Sequence, residues 1–386
     1  MRSTTFYMLT VIMLTACAPK EAPKITVTVQ NPTGFDRLSE MAEIPLDSLN
    51  ARIPLTDTLT YVVRNDAGEI VPSQITYDGL LIFQAGVKAA STARYTIAVE
   101  PPQIFSPKTY GRYIKERKDD FAWENDRVAF RIYGPALAPV DGPSNGLDLW
   151  YKKTSDLIIN KWYADDLAGK ASYHNDNGQG LDDYKVGRTL GAGAMAPYVD
   201  SKLWLNENYV AQELLENGPL RTSFRLSYKD ININDSTYSE SRLFSIDAGA
   251  QLTKITQTFG FPQTTPVAAG IVKRDKDVPA VTTDSYMLYP EPATNKAAGI
   301  FVGLVFTTPV SHFTVDSYEI PSSQKENPTI YRHSIAVMDY HPDTPITYYS
   351  GYGWTQFGFP TVADFATYLE NFATALRHPL EVELGR

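Results

Sequence analysis

Ile25-Thr26-Val27-Thr28-Val29 alternates apolar and polar residues with a period of two. That period sends the apolar set to one face, as in a strand half buried against a core. The pattern extends outward along the chain. Residues 59–63, 80–83 and 95–99 continue it, with Asn65-Asp66-Ala67-Gly68 as a turn signal after the first. Between Arg127 and Tyr133, Val128, Phe130 and Ile132 fall on one face. Phe224, Leu226 and Tyr228 alternate again, and residues 242–246, 252–259 and 300–306 are further candidate strands. No helix of ordinary length fits residues 25–100. Residues 147–170 stay open between strands and a short helix. One convincing helix comes near the end: Phe365, Leu369, Phe372, Ala373 and Leu376 share a face, Thr361 and Asp364 resemble a capping box, and Pro379 stops it. One helix on a chain of strands predicts an all-β protein whose helix packs against a sheet.

The chain has 386 residues, enough for two domains or one large β domain, and its formal net charge is −9. An acidic chain without a basic patch argues against a nucleic-acid partner. At the N-terminus Arg2 precedes a short apolar run, Phe6 to Leu14, too short to span a bilayer. Leu14-Thr15-Ala16-Cys17 resembles the lipobox of bacterial lipoproteins, with Cys17 as the lipidated residue of the mature chain. Residues 1–17 are thus expected to be a signal peptide and lipobox, and 18–24, with Pro19 and Pro23, a tether. The expected address is the cell envelope, held to a membrane through the Cys17 lipid. Cleavage removes Arg2 and takes the formal charge from −9 to −10. Cys17 is the only cysteine, so the mature chain has no disulfide and no thiolate chemistry. Residues 25–105 are expected to form an N-terminal β unit closed by Pro101-Pro102, and 106–386 the main domain.

The chemistry concentrates in residues 173–198. This stretch gathers His174, Asp176, Asp182, Asp183, Tyr184, Lys185 and Arg188 with five glycines. It is expected to be a long shaped loop, and such loops are uncommon unless functional or disordered. General acid–base work needs a group that titrates near the working pH, and of five histidines His174 is the one set among convergent polar groups. Tyr184, Lys185 and Arg188 suggest an anionic ligand such as a uronic acid, because arginine grips a carboxylate with a fork. Elimination from a uronide needs the carboxylate neutralised, a base for the C5 proton and an acid for the leaving oxygen. Arg188, His174 and Tyr184 are the candidate catalytic residues in that order. Hydrolysis would use two carboxylates instead, and Asp176, Asp182, Asp183, Glu124 and Asp126 are available. No cofactor is required, and a divalent cation on Asp176, Asp182 and main-chain oxygens is a third option. The bland alternative is a loop whose polar groups bond only to itself.

Residues 110–126 interleave charge with aromatics. Arg112, Arg117, Trp123 and Glu124 either build a sugar cleft or form a solvated face. The run Tyr348-Tyr-Ser-Gly-Tyr-Gly-Trp354 either lines a cleft or packs as a strand with a bulge. With Lys185, Asp176 and His333, residues Arg112, Arg117, Trp123, Glu124 and Trp354 complete the expected substrate-binding set. Two motifs are set aside. Gly142-Pro-Ser-Asn-Gly146 matches a hydrolase elbow but lacks its strand–turn–helix setting, so it is a turn. Asp230-Ile-Asn-Ile-Asn-Asp235 opens like a calcium loop but lacks the glycine and glutamate that loop needs, so it is a hairpin tip.

The stretches Tyr110-Gly-Arg, Glu116-Arg-Lys-Asp-Asp-Phe-Ala-Trp-Glu-Asn-Asp126, Arg131-Ile-Tyr-Gly-Pro-Ala-Leu137, Tyr173-His-Asn-Asp176, Gly178-Gln-Gly-Leu-Asp-Asp-Tyr-Lys-Val-Gly-Arg188 and Gly351-Tyr-Gly-Trp354 resemble the lipoproteins grouped as domain-of-unknown-function family 4861. The resemblance spans nearly the whole mature chain. It implies a large antiparallel β-sandwich of the galactose-mutarotase or polysaccharide-lyase supersandwich kind. It also implies a setting in bacterial polysaccharide-utilisation systems, near enzymes that finish pectin-like or ulvan-like oligosaccharides. No catalytic residues carry over from it. The expected function is a lipid-anchored protein acting on acidic oligosaccharides, as lyase or hydrolase. The alternatives are a non-catalytic glycan-binding lipoprotein and a sugar epimerase or mutarotase.

Overall fold

The computed structural model describes residues 23–320 and 328–385. The 1–17 segment with Cys17, and the 18–24 tether up to residue 22, lie outside the described residues. At Lys24 the chain is already paired, because strand Lys24–Gln30 runs antiparallel to Thr92–Glu100.

The N-terminal unit is two small sheets face to face. One has the order Glu381–Leu384, Lys24–Gln30, Thr92–Glu100, Thr60–Asn65, Ile70–Val71; the other is Arg37–Pro45, Leu80–Val87, Ser73–Ile75. Val27, Val29, Ile44, Val63, Phe83 and Ile97 fill the space between them. The period of two in Ile25–Val29 supplies one wall of that core. The C-terminal strand belongs here too: Val27 pairs with Leu384 and Val29 with Val382. The last described strand therefore lies beside the first described one, in this small sheet.

The main unit is an antiparallel sandwich, as the all-β reading expected. An eight-stranded sheet runs Ala211–Asn217, Arg221–Ser227, Glu240–Asp247, Leu252–Phe259, Ile346–Trp354, Ile300–Phe306, Tyr286–Pro290, Val281–Thr282. Against it pack two five-stranded sheets. The first is Gly180–Leu181, Asp148–Lys152, Ala129–Ile132, Asp120–Asn125, Thr109–Ile114. The second is Lys202–Leu203, Ala192–Val199, Thr265–Val272, Thr329–Tyr340, His312–Ile320. Trp123, Phe130, Phe224, Phe244, Met195 and Tyr340 belong to the shared core.

The C-terminal helix, Val362–Arg377, begins at Thr361 with the expected capping box. It buries Phe365, Leu369 and Ala373 on the outer face of the large sheet. Gly303 makes room for it, since a Cβ there would sit 2.8 Å from the Leu369 side chain. The 147–170 stretch resolves into strand Asp148–Lys152 followed by a nine-residue helix, Ile159–Leu167. That helix roofs the first five-stranded sheet with Trp162 and Tyr163, which pack on Trp150 and Tyr173. Strands 120–125, 129–132 and 148–152 are consequently buried on both faces. The Asp230–Asp235 motif is the hairpin Ile231–Ile233 and Ser236–Tyr238, turning at Asn234 and Asp235 with positive φ.

Candidate functional site

The face of the first five-stranded sheet that looks toward the roofing helix carries its charges. Arg131 stands directly across from Asp148, and Ala129 from both Trp150 and Glu124. Arg131, Asp148 and Asp120 are all within 1% of full burial. A buried ion is tolerated only when paired and hydrogen-bonded. Arg131 accordingly donates from Nε to Asp148 (2.8 Å) and from Nη2 to Asp182 (2.8 Å) and to the Tyr133 hydroxyl (3.1 Å). Its guanidinium also lies 5.2 Å from the Trp150 ring centroid. Two carboxylates share one guanidinium here. Burial, partly offset by Arg131, pushes Asp148 up to about 8. Folded Asp148 thus holds its proton more tightly than the unfolded chain does. Stability from this group is full below the ordinary carboxylate range and is lost as pH rises toward about 8. Denaturant unfolding of the wild type should show a fall in stability between pH 5 and pH 9 that Asp148→Asn flattens. An unchanged slope in the variant would overturn this assignment.

The array opens to solvent at His174, whose side chain is 52% exposed. Its Nδ1 lies 3.1 Å from the Asp182 main-chain carbonyl and 3.4 Å from the Asp182 carboxylate. Both neighbours are acceptors, so Nδ1 carries the hydrogen and Nε2 the free lone pair. No partner occupies Nε2 among the described residues. The ring is set by an acid that is itself held by Arg131, the arrangement that keeps a base in one tautomer and one orientation. Tyr173 packs against His174 with ring centroids 4.6 Å apart, and its hydroxyl lies beside Arg117. Arg117 is a quarter exposed, pairs with Asp120 at 3.3 Å and sits 5.5 Å from the Tyr133 ring centroid. Residues from the 112–133 strands and from the 173–182 loop are thus joined in one array.

Cations border the loop. Lys296 Nζ donates to the His174 carbonyl (2.8 Å) and to Asn175 (3.2 Å). Lys153 pairs with Asp176, which also accepts from the amides of Gly178 (2.9 Å) and Gly180 (3.2 Å). Lys185 is exposed, and its carbonyl accepts from Arg274. Asp176 and Asp182 are therefore bound to different cations. Among the described residues no three His, Cys, Asp or Glu side chains gather as a metal site would need.

Other expected site residues are elsewhere. Tyr184 is 3% exposed, with Arg274 4.6 Å from its ring centroid and a hydroxyl without a hydrogen-bond partner among the described residues. Burial, with Glu291 nearby, pushes its phenol well up. Arg188 donates to the carbonyls of Asn206 (2.9 Å) and Leu205 (3.0 Å). No hydrogen bond, ion pair or ring contact joins His174, Tyr184 and Arg188 to one another among the described residues, so the expected triad is three separate environments. The reading of 173–198 as one loop is corrected as well: Ala192–Val199 is a strand, six of its eight residues buried.

Four expected ligand contacts turn out to be sealed interior. Trp123 is fully buried among Phe130, Phe224 and Phe244, and its indole donates to Thr253 (3.1 Å). Trp354 is 1% exposed and donates to the Ala298 carbonyl (3.1 Å). Glu124 is fully buried on Lys152 (2.8 Å) and accepts the amides of Ile158 (2.9 Å) and Ile159 (2.8 Å), which caps the roofing helix. His333 is fully buried, its Nε2 accepting the Leu190 amide (3.0 Å), and burial pushes it down to about 3. Arg112 is at the surface, paired with Glu116 (2.6 Å) and Asn160 (2.8 Å).

Sequence reasoning missed Arg131, Asp148 and Tyr133. The usable signal was a charged residue between apolar neighbours in two successive short strands, Phe130-Arg131-Ile132 and Leu147-Asp148-Leu149.

The family model described as Domain of unknown function (DUF4861) matches residues 29–382. The chain belongs to the DUF4861 family. Among curated proteins, this DUF4861 chain is 26% identical over 399 residues to "Uncharacterized protein P7" of Formosa agariphila, covering 98% of each. Among solved structures it is similar to a protein in the glycosyl hydrolase family 38 from Enterococcus faecalis, with a TM-score of 0.51 and 10% identity. That match covers 94% of this chain and 47% of the other. An alpha-mannosidase from Enterococcus faecalis V583 gives a TM-score of 0.47 at 7% identity, over 94% and 46%. The DUF4861 chain spans about half the length of these solved structures, and the likeness to the first is one of fold.

Proposed function

We propose that this DUF4861 protein is a lipid-anchored envelope protein, held by Cys17, that acts on acidic oligosaccharides by β-elimination at His174. The observation that carries the reading is the half-exposed imidazole, oriented by buried Asp182, with no partner on its Nε2 among the described residues and with Lys296, Lys153 and Arg117 around its loop. In the reaction Nε2 takes the C5 proton of a uronide. The electron pair left on C5 forms the C4–C5 double bond, the C4–O bond breaks, and the leaving oxygen takes a proton. Arg117 neutralises the sugar carboxylate, which makes C5 more acidic. Tyr173, packed on His174, is the phenol that supplies the proton. The cationic rim in a chain of net charge −9 supports an anionic ligand. The fold likeness to a glycosyl hydrolase family 38 protein supports a carbohydrate.

One observation favours the second reading, a glycan-binding protein without turnover. The phenol that elimination would use is nearly sealed: Tyr173 is 5% exposed. The test is turnover by the full-length chain on pectin, rhamnogalacturonan, ulvan and glycosaminoglycan oligosaccharides, followed by unsaturated-uronide absorbance and mass. New absorbance with cleavage is expected. A gain of water without absorbance would move the chemistry to hydrolysis. Binding without either product would move it to the second reading.

A further inference from the structure

Arg188 does not serve the His174 array. It lines a separate cavity of about 370 Å³ on the second five-stranded sheet, together with Lys202, Trp204, Asn232, Asp316 and Tyr318. The walls are the segment 201–205, the edge strand His312–Ile320 and the hairpin beginning at Ile231.

The cations and acids of this cavity stand apart from one another. The Arg188 guanidinium spends two donors on main-chain carbonyls, and no carboxylate pairs with it among the described residues. Burial pulls it below the usual arginine range, and Tyr318 and Glu207 nearby offset that only in part. Lys202 likewise has no carboxylate partner among the described residues; its ammonium rests 4.4 Å from the Trp204 ring centroid. Two acids, Asp316 and Glu319, stand on the edge-strand wall, and neither pairs with either cation. Burial raises Asp316, which lines the cavity. Trp204 and Tyr318 bring aromatic surface to the same cavity. Tyr318 stacks on the buried His333 at 5.6 Å and donates its hydroxyl to the Arg188 carbonyl, which fixes that wall.

We propose that this cavity is a second subsite for an acidic sugar. Arg188 and Lys202 take the carboxylate, Trp204 takes the apolar face of the ring, and Asp316 with Asn232 takes hydroxyls. It deepens the reading of acidic carbohydrate as ligand, and it is separable from catalysis because no hydrogen bond, ion pair or ring contact joins Arg188 to His174 among the described residues.

The chain carries its own reporter. Of its five tryptophans, Trp123, Trp150, Trp162 and Trp354 are buried and only Trp204 is partly exposed. The experiment titrates the full-length chain with trigalacturonate, an unsaturated ulvan disaccharide and a chondroitin disaccharide, reading tryptophan fluorescence. Each is paired with its carboxyl-methyl ester. At least one acid should change the emission saturably, its ester far less, and Trp204→Phe should abolish the change. Arg188→Gln should raise the Kd about tenfold to a hundredfold, the range for losing a hydrogen bond to a charged group. Lys202→Ala, at an exposed position where truncation leaves the fold intact, should raise it less. His174→Ala should leave the titration as in the wild type. The proposal is overturned if no acid changes the emission, if ester and acid act alike, or if Arg188→Gln and Lys202→Ala both bind like wild type. Turnover without a Trp204 signal would sink the subsite and leave the activity standing; a Trp204 signal without turnover would do the reverse.

Discussion

His174→Ala should cut turnover of the acidic oligosaccharide by about 10²–10⁴, the range for removing a general acid–base group. The fold should survive, because the side chain is half exposed and gives up only its contacts with Asp182 and the Tyr173 ring among the described residues. The loss should fall on kcat, since His174 Nε2 has no role in holding the carboxylate. Asp182→Asn tests the orientation argument separately. It removes the charge beside Nδ1 but keeps the main-chain carbonyl at 3.1 Å, so it should lower kcat less than His174→Ala and displace the pH profile. Wild-type turnover in His174→Ala, with the substrate cleaved at the same bond, would end the assignment.

Lys152→Met should destabilise the protein by about 3–5 kcal/mol, measured by denaturant unfolding at neutral pH. Lys152 and Glu124 are both fully buried, and their pair is 2.8 Å long. Burial pushes the Glu124 carboxyl up and the Lys152 ammonium down, and each is the main charge that opposes burial of the other. Removing the lysine strands a carboxylate that still accepts the Ile158 and Ile159 amides. The double variant Glu124→Gln, Lys152→Met should recover much of the loss, because no uncompensated charge remains and glutamine can still accept an amide. A single-variant cost below about 1 kcal/mol would mean that water reaches the pair. Neither residue touches the His174 array, so the stability change should come without a change in pH profile.

These two residues also mark how far the sequence could be followed. The strands at Lys24–Gln30, Leu80–Val87 and Leu252–Phe259 stand where the alternation put them. So does the helix after Thr361, because a capping box and a helical stripe are local features. His174 was legible as the one histidine in a polar loop, and Arg117 as a substrate-binding candidate in the charged 112–126 run. Glu124 and Trp123 were legible only as charge and aromatic in one run. Nothing local says that Trp123 faces the eight-stranded sheet while its neighbour Glu124 faces a helix more than thirty residues later in the chain.

By itself the sequence determined the β class, the terminal helix, the membership motifs and the place where polar groups crowd, because each is written in spacing over a few residues. The tertiary structure alone decided which of those polar groups meet water. Alternation separates the two faces of a strand, yet whether the second face is solvated depends on what another segment lays over it. Here the helix Ile159–Leu167 and Tyr173 cover Arg131, Asp148 and Glu124 and leave His174 at the edge. Burial is a property of distant partners, and it turned one row of charges into a core and one histidine into the candidate base.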